Sequence, residues 1–488
     1  MSGISNQSLK KNVFLNALRT LMGVIFPLIT FPYVSRVLGP EGIGQVHYAQ
    51  SIVTYFSLIA MLGINTYGLR EGAKIRDNNI LLTKFFKEML FISIVSTFVA
   101  YILFFLAIIF LNKLYPFRNI LLVTSGSILF TSLGVEWLYG AVEDYKYITI
   151  RSVFFQFIGL IFLLFFVRDS DDVIQYAALS VITNVGANLL NFIHSKKYIN
   201  WKQKCKLEIK KHLKPIFVLF GTIVAINVYT VLDSTLLGYI CGTEQVGLYN
   251  AATKINRIVI TMISSLMVVM TPRMSHYLEH ETTDFNNLLD KACNINLLLA
   301  LPSCVGLFFL AKPIIILFCG SSFEKSIIAM RIMSPIIVFI TFGQFFSYLI
   351  FTPMRKDSFS FIPVIIGALI NLVLNVILIP KFMILGACVA TVIAEFSVTL
   401  TKLVLSKYIG IDIKRLFKFA YQYFIAVIFM GAYLFFINKY IHNYCLLLCV
   451  SIFGGAGIYL FILIIFQNEF VKEFLEKIIR KCINKGSV

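Results

Sequence analysis

Fourteen apolar stretches, each long enough to cross a bilayer as a helix, follow one another along this 488-residue chain with only short polar connections between them. A helical span needs about 20 mostly apolar residues. The stretches lie at 12–35, 43–64, 86–110, 120–140, 146–167, 173–193, 215–238, 247–271, 292–312, 328–352, 359–379, 384–406, 417–437 and 444–466. Several are joined by turn residues alone, as in GPEG at 39–42 and CGTE at 241–244. Lipid offers no hydrogen bonds to a bare backbone, so such stretches must satisfy themselves as helices. Composition agrees: only 14% of residues are charged and mean hydropathy is +0.84, whereas a soluble domain is about a quarter charged. The expected fold is an all-α polytopic membrane protein with no folded head outside the bilayer to carry catalytic chemistry.

The formal net charge of +19 is spread over short loops, the pattern of membrane topology and anionic headgroups; no nucleic acid is expected as a partner. Most of the 43 Lys and Arg fall on the side of the N-terminus, which places both termini in the cytoplasm. The most basic connection, 194–214, carries Lys196, Lys197, Lys202, Lys204, Lys206, Lys210, Lys211 and Lys214. It reads as a solvated linker between two halves. The polar start, SGISNQSLKKN, lacks a cleavable signal pattern. Nine cysteines show no CxxC pair or zinc spacing, and most sit in apolar runs as small hydrophobes. His276 and His280 are four apart but have no third ligand in view, so no metal is expected. No phosphate-binding loop or nucleophile–base set is present, and no cofactor is expected.

The segment 36–70 repeats at 239–273. Gly39, Glu41, Gly44, Ala49, Ile52 and Arg70 recur as Gly242, Glu244, Gly247, Ala252, Ile255 and Arg273, every pair 203 positions apart. That offset equals six spans, an even number, so the second copy enters the membrane in the same orientation as the first. The halves should be a parallel repeat of the transporter type, with substrate held where the copies meet. This gives two six-helix lobes, 1–200 and 215–410, joined by the basic linker 201–214, with two extra C-terminal helices and a tail in 411–488.

Charge at membrane depth costs at least ~2.5–3.5 kcal/mol and calls for a partner or a wet cavity. Asn250, Lys254, Arg257, Thr261 and Ser265 share one helical face by their spacing. The equivalent face of the first copy has His47, Ser51 and Thr54, without cations. The neighbouring span adds Asn227, Thr230 and Asp233. Asp233 either pairs with Lys254 or Arg257 as a structural bridge or joins them at a substrate; the spacing allows both. Arg19 is near enough to its helix end to snorkel, Arg36 closes the first span, and Pro27 and Pro32 permit a kink. Asn371 and Asn375 share a face and read as interhelical glue. Glu395, near mid-depth, is a candidate with Asp233 for ion coupling.

Five stretches carry a family likeness: FPYVSRVLGPEGIG (31–44), LGINTYGLREGAK (62–74), EWLYGAVEDYKYITIR (136–151), LDSTLLGYICGTEQVGLYNAATKI (232–255) and IPKFMILGACVATVIAE (379–395). With the spans, the chain resembles the Wzx-type oligosaccharide flippases of the multidrug/oligosaccharidyl-lipid/polysaccharide flippase superfamily. The resemblance implies a central cavity between the lobes that opens alternately to each side of the bacterial inner membrane. It implies as cargo a polyprenyl-pyrophosphate-linked O-antigen or capsule repeat unit, moved from the cytoplasmic to the outer leaflet without covalent chemistry. Membrane lipids, a polysaccharide polymerase and a chain-length regulator are the partners it suggests. Lys254 and Arg257 would then serve as charge-assisted donors to the pyrophosphate, with Asn250, Asn227, Asp233, His47, Arg19 and Arg36 as further contacts. A peptidoglycan-precursor flippase and a drug or cation antiporter are alternatives inside the superfamily. The antiporter fits poorly, because the cavity candidates lean basic. An external polymerase or ligase fits poorly too, because the outer connections are only a few residues long.

Overall fold

The computed structural model describes residues 9–280, 282–468 and 470–472, and helix is the only regular structure among them. Twelve helical stretches among the described residues are long and apolar enough to cross a membrane. The first, Ile25–Ile75, is 51 residues long and takes in the second half of the first expected span and all of the second. The helix Lys210–Cys241 coincides with the seventh. Each of the fourteen expected segments is thus occupied by helix.

The chain divides into two compact units, Met1–Gly247 and Leu248–Val488. In the first, α1 (Leu9–Met61) is the spine against which the long helices that follow it pack. It is followed by α2 (Ile64–Ile75), α3 (Asn79–Phe110), α4 (Arg118–Ser132), α5 (Glu136–Ala141), α6 (Tyr145–Phe166), α7 (Val173–Val181), α8 (Asn188–His194) and α9 (Lys210–Cys241). The spine is bent at Gly39 (φ 64°, ψ −176°), and α9 ends at Gly242 (φ 92°, ψ 169°). These are equivalent residues of the repeat, so both copies turn on a glycine in a conformation that side chains disfavour.

Just beyond the two turns the backbones meet. A Cβ on Gly44 would lie 1.8 Å from the carbonyl oxygen of Thr243, and one on Gly247 would lie 1.9 Å from that of Pro40. Pro40 and Thr243 are themselves 203 apart, so the contact is reciprocal, as at a two-fold axis. The Thr243 hydroxyl also donates to the carboxylate of Glu41. The repeat read from the sequence is present in three dimensions.

The stretch 136–151 proves to be an internal brace. The guanidinium of Arg151, 5% exposed, donates to Glu136 at 3.2 Å and to the Ala187 carbonyl at 2.9 Å. Tyr139 donates to the Asn191 carbonyl at 2.6 Å, and Asn191 donates to the Gly134 carbonyl at 2.8 Å. Trp137 packs against Gly68 and Gly72 of α2. A guanidinium this far from water needs acceptors held beside it, which accounts for the polar residues inside two otherwise apolar runs.

The second unit contains most of α10 (Thr243–His280), then α11 (Thr282–Phe309), α12 (Ala311–Cys319), α13 (Ser326–Met333), α14 (Ile336–Phe346), α15 (Asp357–Phe382), α16 (Ile384–Tyr408), α17 (Ile413–Leu416), α18 (Ala420–Tyr440) and α19 (Tyr444–Ile465). α15 and α16 form a tight hairpin through Met383. Gly386, Ala387, Ala390 and Ala394 are buried on α16, the small-residue packing by which membrane helices approach closely. The two helices outside the repeat, α18 and α19, pack on each other and on α11. Apolar side chains such as Phe98 (67%) and Phe453 (79%) are exposed, as befits surfaces that meet lipid rather than water.

Candidate functional site

α10 runs without a break from Thr243 to His280, so the spacing of Asn250, Lys254, Arg257, Thr261 and Ser265 does place them on one face. The opposite side packs: Ala251, Ala252, Ile255, Ile260, Ile263 and Met267 are buried. Asn250, Lys254 and Thr261 are half-buried, whereas Arg257 and Ser265 are exposed. Thr261 donates to the Arg257 carbonyl at 2.8 Å and Ser265 to that of Met262 at 2.7 Å. Their hydroxyls are therefore absorbed by the helix, which leaves Asn250, Lys254 and Arg257 to give the face its chemistry. An arginine exposed on a helix of this apolarity demands water or an anion beside it.

In the first unit, Asp233 is buried on α9. Asn227, half-buried on the same helix, donates to the Ile223 carbonyl at 2.8 Å. His47 is half-buried on α1, and Ser51, one turn on, is drawn into a chain with α9. Thr235 donates to Ser51 at 3.0 Å and lies 3.1 Å from the hydroxyl of Tyr55. The polar face of the first copy thus spends part of its hydrogen bonding on joining α1 to α9. Arg36 is exposed and donates to the Pro32 carbonyl at 3.0 Å. Arg19 lies outside the residues whose side chains are described. Glu395 is half-buried on α16, and Asn375 donates to Asn371 at 2.9 Å along α15.

Several charged groups escape a reading by spacing. Lys402 is buried seven residues after Glu395 and donates to the Gly343 carbonyl at 3.1 Å; the two-turn spacing was the available signal. Glu88, 1% exposed, lies 2.8 Å from Nε2 of His212 and accepts from the backbone N–H of Glu208 at 2.8 Å. Nδ1 of His212 lies 2.8 Å from the Tyr67 hydroxyl. The basic connection is strapped down around this chain rather than merely solvated. Lys87 donates to the carbonyls of Trp201 and Gln203, and Trp201 packs edge-on to Phe86 and Phe192. Lys84 donates to Glu208 at 2.6 Å. That ammonium, with Lys211 beside it, holds the Glu208 carboxyl down at about 2.

Comparison with known proteins fits this architecture. The family model described as "Polysaccharide biosynthesis protein" matches residues 9–278, and a second model, MatE, matches 219–377. The "Putative O-antigen transporter" of Escherichia coli (strain K12) is 25% identical over 406 residues, spanning 80% of this chain and 95% of that protein. Among solved structures, the lipid II flippase MurJ in an inward closed conformation aligns with a TM-score of 0.76 at 18% identity, covering 94% of this chain and 100% of that one. An inward-facing multidrug resistance MATE family transporter aligns at 0.59 and 14% identity, covering 81% and 96%. The structural likenesses establish the fold, and the family match covers more than half of the sequence. The chain belongs to the polysaccharide biosynthesis protein family.

Proposed function

We propose that the protein moves a polyprenyl-pyrophosphate-linked oligosaccharide repeat unit from the cytoplasmic to the outer leaflet of the bacterial inner membrane, with both termini cytoplasmic. Alternating access of two lobes, 1–200 and 215–410, provides the path, and 201–214 joins them. The observation that carries this reading is the α10 face. It sets half-buried Asn250 and Lys254 and exposed Arg257 on one side of a helix whose other side is packed. A pyrophosphate needs cationic donors, and a sugar chain needs a wet, hydrogen-bonding wall. The O-antigen relatives support the same cargo.

Lys254→Ala and Arg257→Ala test it through surface polysaccharide measured at unchanged protein level. A charge-assisted contact contributes about 1.5–3 kcal/mol, so each variant should slow export roughly 10–100-fold. Normal export in both would refute the anion clamp. Asp233 and Glu395 are the proposed coupling carboxylates. Asp233→Asn and Glu395→Gln should reduce the dependence of export on the proton or ion gradient. Full gradient sensitivity in both variants would remove them from that role.

A further inference from the structure

A cavity of about 270 Å3 opens in the second unit, at the end where α11 begins and α19 has finished. Its wall on α11 is Asn287, Asp290, Lys291 and Asn294, and the rings of Phe419 and Phe470 and the amide of Asn468 complete it. The floor is firmly built. The hydroxyl of Tyr423, a fully buried residue, lies 3.1 Å from Oδ1 of Asn294 and 3.3 Å from Oδ1 of Asn468. Asn468, 1% exposed, donates to Gln422 at 2.6 Å. At the rim, Arg415 donates to Asp290 at 2.8 Å and to Oδ1 of Asn287 at 3.1 Å.

Donors and acceptors alternate around this wall. An anion such as phosphate offers only acceptors. It could pair with Lys291, but the Asp290 carboxylate on the same wall opposes its charge. A sugar hydroxyl both donates and accepts, and so matches side-chain amides and a carboxylate. The two phenylalanine rings suit the C–H face of a pyranose. The volume falls just below the ~300–1,000 Å3 of ordinary small-molecule sites, which leaves room for a single sugar residue and not for an oligosaccharide.

We propose that this cavity is a sugar-binding site separate from the α10 face, holding one sugar residue of the cargo at the cytoplasmic end of the second unit. The proposal rests on the reading that the cargo carries sugar. Its test is direct. Full-length protein in nanodiscs is probed by saturation-transfer NMR with free hexoses, N-acetylhexosamines, 6-deoxyhexoses and hexuronates. At least one class should respond. Asn287→Ala and Phe470→Ala, both at a cavity edge, should weaken that response about 5–10-fold, the worth of roughly one hydrogen bond or ring contact, with unchanged melting temperature. No response from any class, or equal response in both variants, overturns the site. So does a response abolished by phosphatidylglycerol in the nanodisc, which would assign the cavity to a lipid headgroup. The cargo reading fails separately. A sugar response combined with export indifferent to Lys254 and Arg257 keeps the site and removes the clamp; export that needs those cations, without any sugar response, does the reverse.

Discussion

Replacing Gly44 or Gly247 with alanine should sharply destabilise the purified protein and abolish export. Each added methyl would sit under 2 Å from a backbone carbonyl oxygen, that of Thr243 or of Pro40. Backbone cannot rotate aside as a side chain does, so the helices must separate. Overpacking a close contact costs about 1–3 kcal/mol and more when backbone must move; these sites belong at the upper end. Gly39→Ala provides a graded comparison. It meets nothing within 4 Å but must hold φ 64° with ψ −176°, a region kept almost entirely for glycine, at a strain of about 1–3 kcal/mol. Gly457→Ala, on α19 and in open space, should be neutral or slightly stabilising through helix propensity of up to ~1 kcal/mol. Thermal melts of all four variants give the ranking. Melting of Gly44→Ala and Gly247→Ala level with Gly457→Ala would show that the helices do not cross this closely. The effect on export should follow the same ranking as stability.

The spans were readable because hydrophobic length is a one-dimensional property, and lipid enforces helix wherever that length is reached. The repeat was readable at Gly39, Gly44, Gly242 and Gly247, but not its meaning. Identity at a fixed offset shows duplication, while the reciprocal contact needs the third dimension. The α10 stripe was readable because Asn250, Lys254 and Arg257 lie on one unbroken helix, where spacing converts directly into a face. Thr261 and Ser265 looked equally polar in that stripe, yet their hydroxyls serve their own helix. Glu88, Glu136 and Arg151 were missed for the opposite reason. Each lies close to an end of an apolar run, where a charge reads as solvated. Two of the partners, His212 and Ala187, are more than 30 residues away. The cavity beside Tyr423 was hidden in the same way, because its wall is assembled from three separate stretches of chain.

Glu88→Ala is expected to be among the most damaging single changes in the first unit. The carboxylate joins α3 to the start of α9 through His212 and caps the backbone of Glu208. One proton arrangement satisfies the whole chain: His212 donates from Nε2 to Glu88 and accepts from the Tyr67 hydroxyl at Nδ1. Removing the carboxylate leaves the buried His212 N–H and the Glu208 backbone N–H without their acceptor, at about 1–3 kcal/mol each. Glu88→Gln should cost less, since its carbonyl still accepts from Glu208. A double-mutant cycle with His212→Ala should return a coupling of about 0.5–3 kcal/mol, as for residues in direct contact. The stretch 195–209 provides a second readout. With Glu88 gone, the strap around Trp201 and Gln203 loses its anchor at Glu208, and trypsin should cut faster at Lys202, Lys204 and Lys206. Wild-type melting together with a wild-type cleavage rate in Glu88→Ala would mean that the linker is held by Lys87, Trp201 and their neighbours alone. The basic connection between the copies would then owe nothing to the buried carboxylate. If both readouts move together, the segment that looked like a loose tether is instead a fixed strut, and motion of one copy relative to the other must be taken up elsewhere, with the glycine turns at 39 and 242 the positions best suited to it.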